Sequence, residues 1–80
     1  DIEPILVTLQ PGAKTETDLP HMGEEFGYVL SGAVTLELGG KNYRVRKGDS
    51  FSFKPSQQHD LKNTGKTPAT VLWVCTPPNF

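Results

Sequence analysis

A β-hairpin predicted in the middle of the chain does most to restrict its fold. Two short runs, residues 33–38 and 41–46, alternate apolar and polar side chains and are separated only by a Gly-Gly dipeptide. Paired glycines accept the positive φ angles of a type I′ turn, which joins two antiparallel strands through two residues. This turn sets the register, so Leu36 is predicted to lie directly opposite Tyr43, with both side chains on the same face of the hairpin.

The rest of the sequence follows the same period of two. Apolar residues make up 35% of the 80 positions and come in short runs separated by Gly, Pro, Asn and Asp, which is typical of all-β domains. No window of helical length carries an amphipathic stripe. The predicted strands are residues 5–10, 24–31, 33–38, 42–46, 50–54, 58–63 and 69–75, with a further short strand at 14–17.

Length and charge exclude several functional classes. Eighty residues make one domain, and a formal net charge of −1 without any basic run argues against nucleic-acid binding by this segment. No apolar stretch approaches the ~18 residues of a membrane span, and no signal peptide is recognisable. The single cysteine, Cys75, lies in an apolar run, where a buried thiol in a reducing, cytoplasmic setting is expected.

The strand predicted at residues 24–31 is apolar on both faces. Phe26, Tyr28 and Leu30 point to one side, whereas Val29 points to the other. A strand of this kind is covered on both faces, and in so short a chain a second copy can supply the second cover. Pairing of sheet edges between two copies would also protect those edges. We therefore predict a homodimer.

The scarce metal-binding side chains lie near the ends of predicted strands. His21 precedes the strand that carries Glu25, and His59, the other of the two histidines, opens or precedes a later strand. Two imidazoles and one carboxylate leave coordination positions open, which suits Fe(II), Mn(II) and similar catalytic metals. On spacing alone, solvated loop histidines and an ordinary charged strand start are the commoner explanation.

The stretch around Glu25 resembles the first sequence motif of the cupin family. In that motif a histidine precedes the glutamate by a few residues and a glycine follows it after six, as His21, Glu25 and Gly32 do. The motif has a second, earlier histidine, and this position holds Leu19. One of the four usual cupin metal ligands is therefore replaced.

The second cupin motif is matched by Gly48, His59 and Asn63, although its proline and glycine positions hold Lys54 and Ser56. The resemblance covers about residues 4–77 and implies an all-β fold, a small double-stranded β-helix or jelly-roll barrel. It also implies that one divalent metal ion (Zn, Fe, Mn or Ni) is bound by the three surviving ligand positions, which are His21, Glu25 and His59. The alternative is a cupin that has lost its metal and keeps both histidines as polar groups of a pocket. Asn63 is expected to be a turn or strand-end residue rather than a ligand.

Three runs are more closely similar to the C-terminal cupin domain of XRE-type helix-turn-helix transcriptional regulators. They are residues 23–32, 48–51 and 71–80. In those regulators an N-terminal helical domain binds DNA, and the cupin is taken to bind a small effector and to mediate dimerisation. The resemblance implies that residues 1–80 are one cupin domain, the C-terminal part of a longer cytoplasmic protein whose DNA-binding domain is not present here.

We therefore predict a sensor domain of a transcriptional regulator, without enzymatic activity, that holds a small-molecule effector in the barrel pocket. The predicted ligand-binding residues are His21, Glu25, Tyr43, Phe51, Phe53, His59 and Trp73. For the four aromatic residues among them, a place in the barrel core is the alternative. Two other functions stay open. One is a metal-dependent enzyme of dioxygenase or isomerase type that uses His21, Glu25 and His59, and the other is a purely structural dimerisation domain.

Overall fold

The computed structural model describes residues 3–15, 23–54 and 58–76, and in this part of the chain it contains β-strands and no helix. The seven strands are β1 (Glu3–Leu9), β2 (Glu24–Ser31), β3 (Ala33–Leu38), β4 (Lys41–Arg46), β5 (Ser50–Phe53), β6 (His59–Lys62) and β7 (Ala69–Thr76). Each confirms one of the seven longer strands predicted from the sequence. A further short strand was predicted at residues 14–17. Lys14 forms an isolated β-bridge with Lys62, and residues 16 and 17 lie outside the described part of the chain. Within these ranges no helix is present that could span a membrane.

The strands form two antiparallel sheets. Sheet A has the order β1-β7-β2-β5, and sheet B has the order β4-β3-β6. The chain passes from one sheet to the other between β2 and β3, between β4 and β5, and at each later connection, as in a jelly roll. This arrangement confirms the all-β jelly-roll prediction.

The central hairpin has the predicted register. Leu36 pairs with Tyr43, and Val34 pairs with Val45. The two glycines of the turn, Gly39 and Gly40, have φ angles of 57° and 84°, which a type I′ turn requires.

The core lies between the two sheets and takes side chains from both. Its buried apolar residues are Leu9, Val29, Val34, Leu36, Val45, Leu61, Ala69, Val71, Trp73 and Cys75. The burial of Cys75, of which 4% is exposed, confirms the structural thiol expected from the sequence. Because the inward side chains interdigitate across both sheets, a group placed among them is shielded from water.

The buried amide of Asn63 organises the connection from β6 to β7. Its Nδ2 donates to the carbonyls of Leu9, at 2.9 Å, and Thr67, at 2.8 Å, while Oδ1 accepts a hydrogen bond from the backbone N–H of Gly65 at 2.9 Å. Every contact is to main chain, so Asn63 is the turn-forming residue that was expected.

The two faces of strand β2 differ clearly in solvent exposure. Glu25, Gly27 and Val29 face the interior, whereas Phe26, Tyr28 and Leu30 face outward and are 40%, 37% and 41% exposed. Among the described residues only the inward face is therefore fully covered, and the predicted homodimer stays a prediction.

Candidate functional site

A carboxylate lies in the interior of the barrel. Glu25 is on the inward face of β2 and only 2% of it is exposed. An ionised carboxylate removed from water is costly unless other groups compensate it. The contacts of Glu25 therefore decide what this position can do.

Both oxygens of Glu25 are in contact with polar side chains. The indole Nε1–H of Trp73 donates to Oε1 at 2.7 Å, and Nε2 of His59 lies 2.8 Å from Oε2. Trp73 is on β7, next to β2 in sheet A, whereas His59 begins β6 in sheet B. Glu25 thus joins the two sheets through a buried polar cluster, and the low local dielectric strengthens each of these contacts.

Aromatic rings enclose this cluster. The Phe53 ring lies 5.0 Å from the His59 ring at an interplanar angle of 66°, and the Phe51 ring lies 6.0 Å from Trp73 at 88°. Both are edge-to-face arrangements that aromatic rings prefer. Gly27 makes room for this packing, because a Cβ at that position would lie 2.1 Å from Cζ of Phe51.

An apolar cleft of about 310 Å³ opens between the β3–β4 hairpin and β5. Its lining residues are Leu36, Leu38, Tyr43, Arg44, Val45, Ser50, Phe51, Ser52 and Phe53. Phe51 and Phe53 belong both to this cleft and to the aromatic surroundings of the Glu25 cluster, so their rings form a shared wall. Tyr43 is 47% exposed at the cleft, which makes the core alternative wrong for this residue, whereas Trp73 is a core residue.

A second, polar pocket of about 510 Å³ is formed at the turn end of sheet B. It is lined by Lys14, Glu37, Gly39, Gly40, Gln58, His59 and Asp60. Glu37 and Asp60 pair directly across β3 and β6, and Nζ of Lys62 lies 3.5 Å from Oε1 of Glu37. Sequence reasoning missed this pocket because it depends on the pairing of β3 with β6, which no local pattern indicates.

The structure brings most of the predicted site residues together. Five of the seven are connected by contacts, and they are Glu25, Phe51, Phe53, His59 and Trp73. Tyr43 joins them indirectly through the cleft that it shares with Phe51 and Phe53. His21 lies outside the described residues.

Two side chains of this cluster, the carboxylate of Glu25 and the imidazole of His59, are of the kinds that bind divalent cations. Oε2 of Glu25 and Nε2 of His59 are 2.8 Å apart, which is a direct polar contact and is shorter than the roughly 3.4 Å between two ligands that each lie about 2.1 Å from one tetrahedral metal ion. No cluster of three His, Cys, Asp or Glu side chains that could hold a metal occurs among the residues that the structure describes. The third predicted ligand, His21, is not among them, so the three-ligand site stays a prediction.

Comparison with known proteins identifies relatives of both regulatory and enzymatic kinds. The chain is 33% identical over 76 residues to the HTH-type transcriptional regulator PuuR of Escherichia coli, and the match covers 95% of this chain and 41% of PuuR. It is 32% identical to a solved sugar phosphate isomerase of the cupin superfamily from Silicibacter pomeroyi, with a TM-score of 0.83 over 92% of this chain and 49% of that one.

A third relative supports the fold. The Cupin_2 domain of an XRE family transcriptional regulator from Enterobacter cloacae superposes with a TM-score of 0.86, covers 98% of this chain and 83% of that one, and is 20% identical. The family model of the Cupin_2 cupin domain matches residues 5–75. The jelly-roll architecture, the two motifs and this match agree, and the chain belongs to the Cupin_2 family of cupin domains.

Proposed function

We propose that this domain binds a small-molecule effector inside the barrel and dimerises as the regulatory part of a transcriptional regulator. The observation that carries the proposal is the buried cluster of Glu25, His59 and Trp73, in a chain that is 33% identical to PuuR over 95% of its length. DNA would be bound by a separate N-terminal helix-turn-helix domain, and a regulator of this kind acts in the cytoplasm.

The cluster favours recognition over mere stability. Replacing a buried ion pair by well-packed apolar residues of similar volume is often neutral or stabilising. A barrel that needed only a core would therefore be as stable with apolar side chains in place of Glu25 and His59. Polar groups held between two sheets by Trp73 are preorganised to exchange their internal contacts for contacts with a polar ligand.

The cleft provides the path to this cluster. At about 310 Å³ it lies at the lower end of the range for small-molecule pockets, so it suits a metabolite rather than a large cofactor. Phe51 and Phe53 form the wall between the cleft and the cluster. A ligand that reaches Glu25 must move these rings, and their movement would alter the packing of β5 on the barrel.

Glu25 also links ligand binding to the relative position of the two sheets. It is attached to β2 of sheet A and contacts His59 of sheet B at 2.8 Å. A ligand that competes for either side chain changes this contact between the two sheets. Such a ligand shifts the equilibrium by its differential affinity for the two arrangements.

The chain contains its own reporter for this test. Trp73 is the only tryptophan, and its indole contacts Glu25, so its fluorescence can be titrated with a panel of amines, amino acids, sugar phosphates and carboxylic acids. We expect at least one compound to saturate the fluorescence signal, and we expect Glu25→Gln to weaken the binding of this compound by about tenfold or more.

Glu37→Gln is the matched control, because the Glu37 carboxylate lines the polar pocket and is not part of the cluster. This variant should bind the compound with the affinity of the wild type. Equal loss in both variants, or no response to any compound, would contradict the proposal.

A metal-dependent enzyme of isomerase or dioxygenase type is the second candidate. It is favoured by the carboxylate of Glu25 and the imidazole of His59, two metal-binding groups that lie side by side in the interior, and by the similarity to a sugar phosphate isomerase. Glu25, His59 and the predicted His21 would hold one divalent ion, which would supply Lewis-acid or redox chemistry. Elemental analysis of protein purified without chelator or affinity nickel tests this candidate. One equivalent of metal that Glu25→Gln loses and Glu37→Gln keeps would favour the enzyme, whereas a metal-free folded protein would favour the effector domain.

A further inference from the structure

The outer face of sheet B carries a buried carboxylate. Side chains alternate along β6, so His59 faces the interior, whereas Asp60 and Lys62 face outward. The outward Lys62 side chain is 32% exposed, as is usual for a charged group on such a face, but Asp60 is only 4% exposed. The chain therefore encloses the Asp60 carboxylate, and it does so at the wall of the polar pocket of about 510 Å³.

Main-chain hydrogen bonds hold the walls of this pocket in place. Strand β6 is paired with β3 over all four of its residues. The Gly39 N–H donates to the Gln58 carbonyl at 2.9 Å, which ties the β3–β4 turn to the start of β6. At the other edge of β6, the Thr15 N–H donates to the Leu61 carbonyl at 2.8 Å and fixes the segment that carries Lys14. The pocket is thus preformed, so a ligand does not have to order its walls.

The charged side chains around the pocket are of both signs. Oε1 of Glu37 is 3.5 Å from Nζ of Lys62, which offsets the charge of Glu37. Two further formal charges line the pocket in the described part of the chain, and they are the carboxylate of Asp60 and the ammonium of Lys14. Asp60 repels a purely anionic ligand, and Lys14 repels a purely cationic one. A ligand with one charge of each sign is attracted by both.

The register of β3 and β6 adds to the attraction for a positive group. Glu37 lies directly opposite Asp60. Like charges that face each other across two strands are destabilising, so an acid paired with a base would make the sheet more stable here. The two carboxylates instead concentrate negative potential at the pocket, which favours an ammonium group beside Asp60.

We propose that the polar pocket is a second small-molecule site and that it binds a free amino acid as its zwitterion. The ligand ammonium donates to Asp60, and the ligand carboxylate accepts from Lys14. Both are charge-assisted hydrogen bonds, which are about twice as strong as neutral ones. The amino-acid side chain lies towards the turn, where the described chain places no atom within 4 Å of a Cβ built on Gly40. A volume of about 510 Å³ is within the range of small-molecule pockets.

This site does not depend on the proposed effector site in the barrel. His59 borders both places, because it lines the polar pocket while its Nε2 lies 2.8 Å from Oε2 of Glu25. The groups that bind the ligand are different, however, since Asp60 is on the outer face of sheet B and Trp73 is inside the barrel. The residues whose signals respond to a ligand therefore tell the two sites apart.

Chemical-shift titration tests the site. ¹H–¹⁵N correlation spectra of the chain are recorded with each of the common L-amino acids at concentrations up to about 10 mM. We expect at least one amino acid to move the backbone signals of Lys14, Gly40 and Asp60 in a saturable way. The dissociation constant follows from the titration curve.

Charge-removing variants identify the groups that bind the amino acid. Asp60→Asn and Lys14→Met should each raise the dissociation constant by about tenfold or more, because each removes one charge-assisted contact. The matched controls are Glu24→Gln and Lys47→Met, which remove the same kinds of charge from exposed positions elsewhere. Both controls should bind the amino acid as the wild type does.

The ligand itself supplies a test that needs no variant. The amine that lacks the carboxylate of the bound amino acid, and the carboxylic acid that lacks its amino group, should each bind the wild-type chain at least about tenfold more weakly. This comparison decides the question if circular dichroism shows that Asp60→Asn does not fold.

Three results would overturn the site. They are pocket signals that respond to no amino acid, equal binding of an amino acid and of its analogues that lack one charge, and equal weakening by Asp60→Asn and Glu24→Gln. An amino acid that moves the Trp73 indole signal but not the signals of Lys14 and Asp60 would also overturn the site. That result would leave the proposed function of the barrel in place.

Discussion

Replacing Trp73 by phenylalanine probes the most direct contact of the buried cluster. The indole Nε1–H donates to Glu25 Oε1 at 2.7 Å, and both residues are at most 6% exposed. Trp73→Phe keeps an aromatic ring in the core but removes the donor, so a buried carboxylate oxygen loses a partner that water cannot replace. A hydrogen bond to a charged group contributes about 1.5–3 kcal/mol, and the lost ring atoms add about 1 kcal/mol. We therefore expect the free energy of unfolding to fall by about 3 kcal/mol, which lowers the Tm by at least about 12 °C in a domain of this size.

A double-mutant cycle separates the hydrogen bond from the loss of ring volume. The cycle combines Trp73→Phe with Glu25→Leu, which removes the carboxylate, and the coupling energy should be about 1.5–3 kcal/mol. Urea denaturation followed by far-UV circular dichroism is the suitable assay, because the two variants that carry Trp73→Phe lack the only tryptophan. With a slope near 1 kcal/mol per molar urea, the coupling would appear as a midpoint difference of about 2 M.

Glu37 supplies the control for this cycle. Its carboxylate is on the outward face of β3 and lies 3.5 Å from Lys62, away from Trp73. The coupling between Trp73→Phe and Glu37→Leu should therefore be close to zero. A coupling energy below about 0.5 kcal/mol for the pair Trp73 and Glu25 would refute the reasoning, since a buried charge-assisted hydrogen bond cannot be that weak.

Three further outcomes follow from the structure. Asn63→Ala removes three hydrogen bonds from a buried amide to main chain, one of them fully buried, and should lower the free energy of unfolding by about 2–4 kcal/mol, measured by urea denaturation; a loss below about 1 kcal/mol would contradict it. Gly32→Ala should destabilise by about 1–3 kcal/mol, because the φ angle is +73° and a Cβ would lie 2.6 Å from the carbonyl oxygen of Pro68; a thermal melt like that of the wild type would show that the backbone relaxes. The buried Cys75 thiol should react with a thiol reagent only as fast as the domain unfolds, and immediate reaction in native buffer would contradict its burial.

The parts of the fold that follow from local chemistry could be predicted from the sequence. The Gly-Gly turn determines the β3–β4 register without help from the rest of the chain, and the pairing of Leu36 with Tyr43 agrees with it. The exposure of Tyr43 could not be predicted in the same way. Alternation places Tyr43 on the same face as Leu36, but β4 is an edge strand of sheet B, so the sheets leave its side chain at an open cleft.

The contacts of the site depend on pairing between distant segments. Trp73 and Glu25 are 48 positions apart, and they meet because β7 lies beside β2 in sheet A. The two motifs brought Glu25 and His59 into one hypothesis through resemblance, but no local pattern indicates the part played by Trp73. For β2, the alternation of side chains showed two apolar faces, and only the resemblance that makes Glu25 a residue of the barrel pocket indicated which one is inside. The structure buries the face with Glu25 and leaves Phe26 exposed, since Trp73 and His59 compensate the carboxylate.

The central claim is that a small molecule binds beside Glu25 inside the barrel, and the indole N–H resonance of Trp73 tests it most directly. In a ¹H–¹⁵N correlation spectrum this single tryptophan gives one indole signal, and its proton is donated to Glu25 Oε1. During titration with a compound that the fluorescence panel selects, the account predicts that this signal moves and saturates in the wild type and in Glu37→Gln, and that its response is lost or strongly weakened in Glu25→Gln. An indole signal that stays in place while resonances at the polar pocket around Glu37 and Asp60 move would contradict the account and place the ligand outside the barrel.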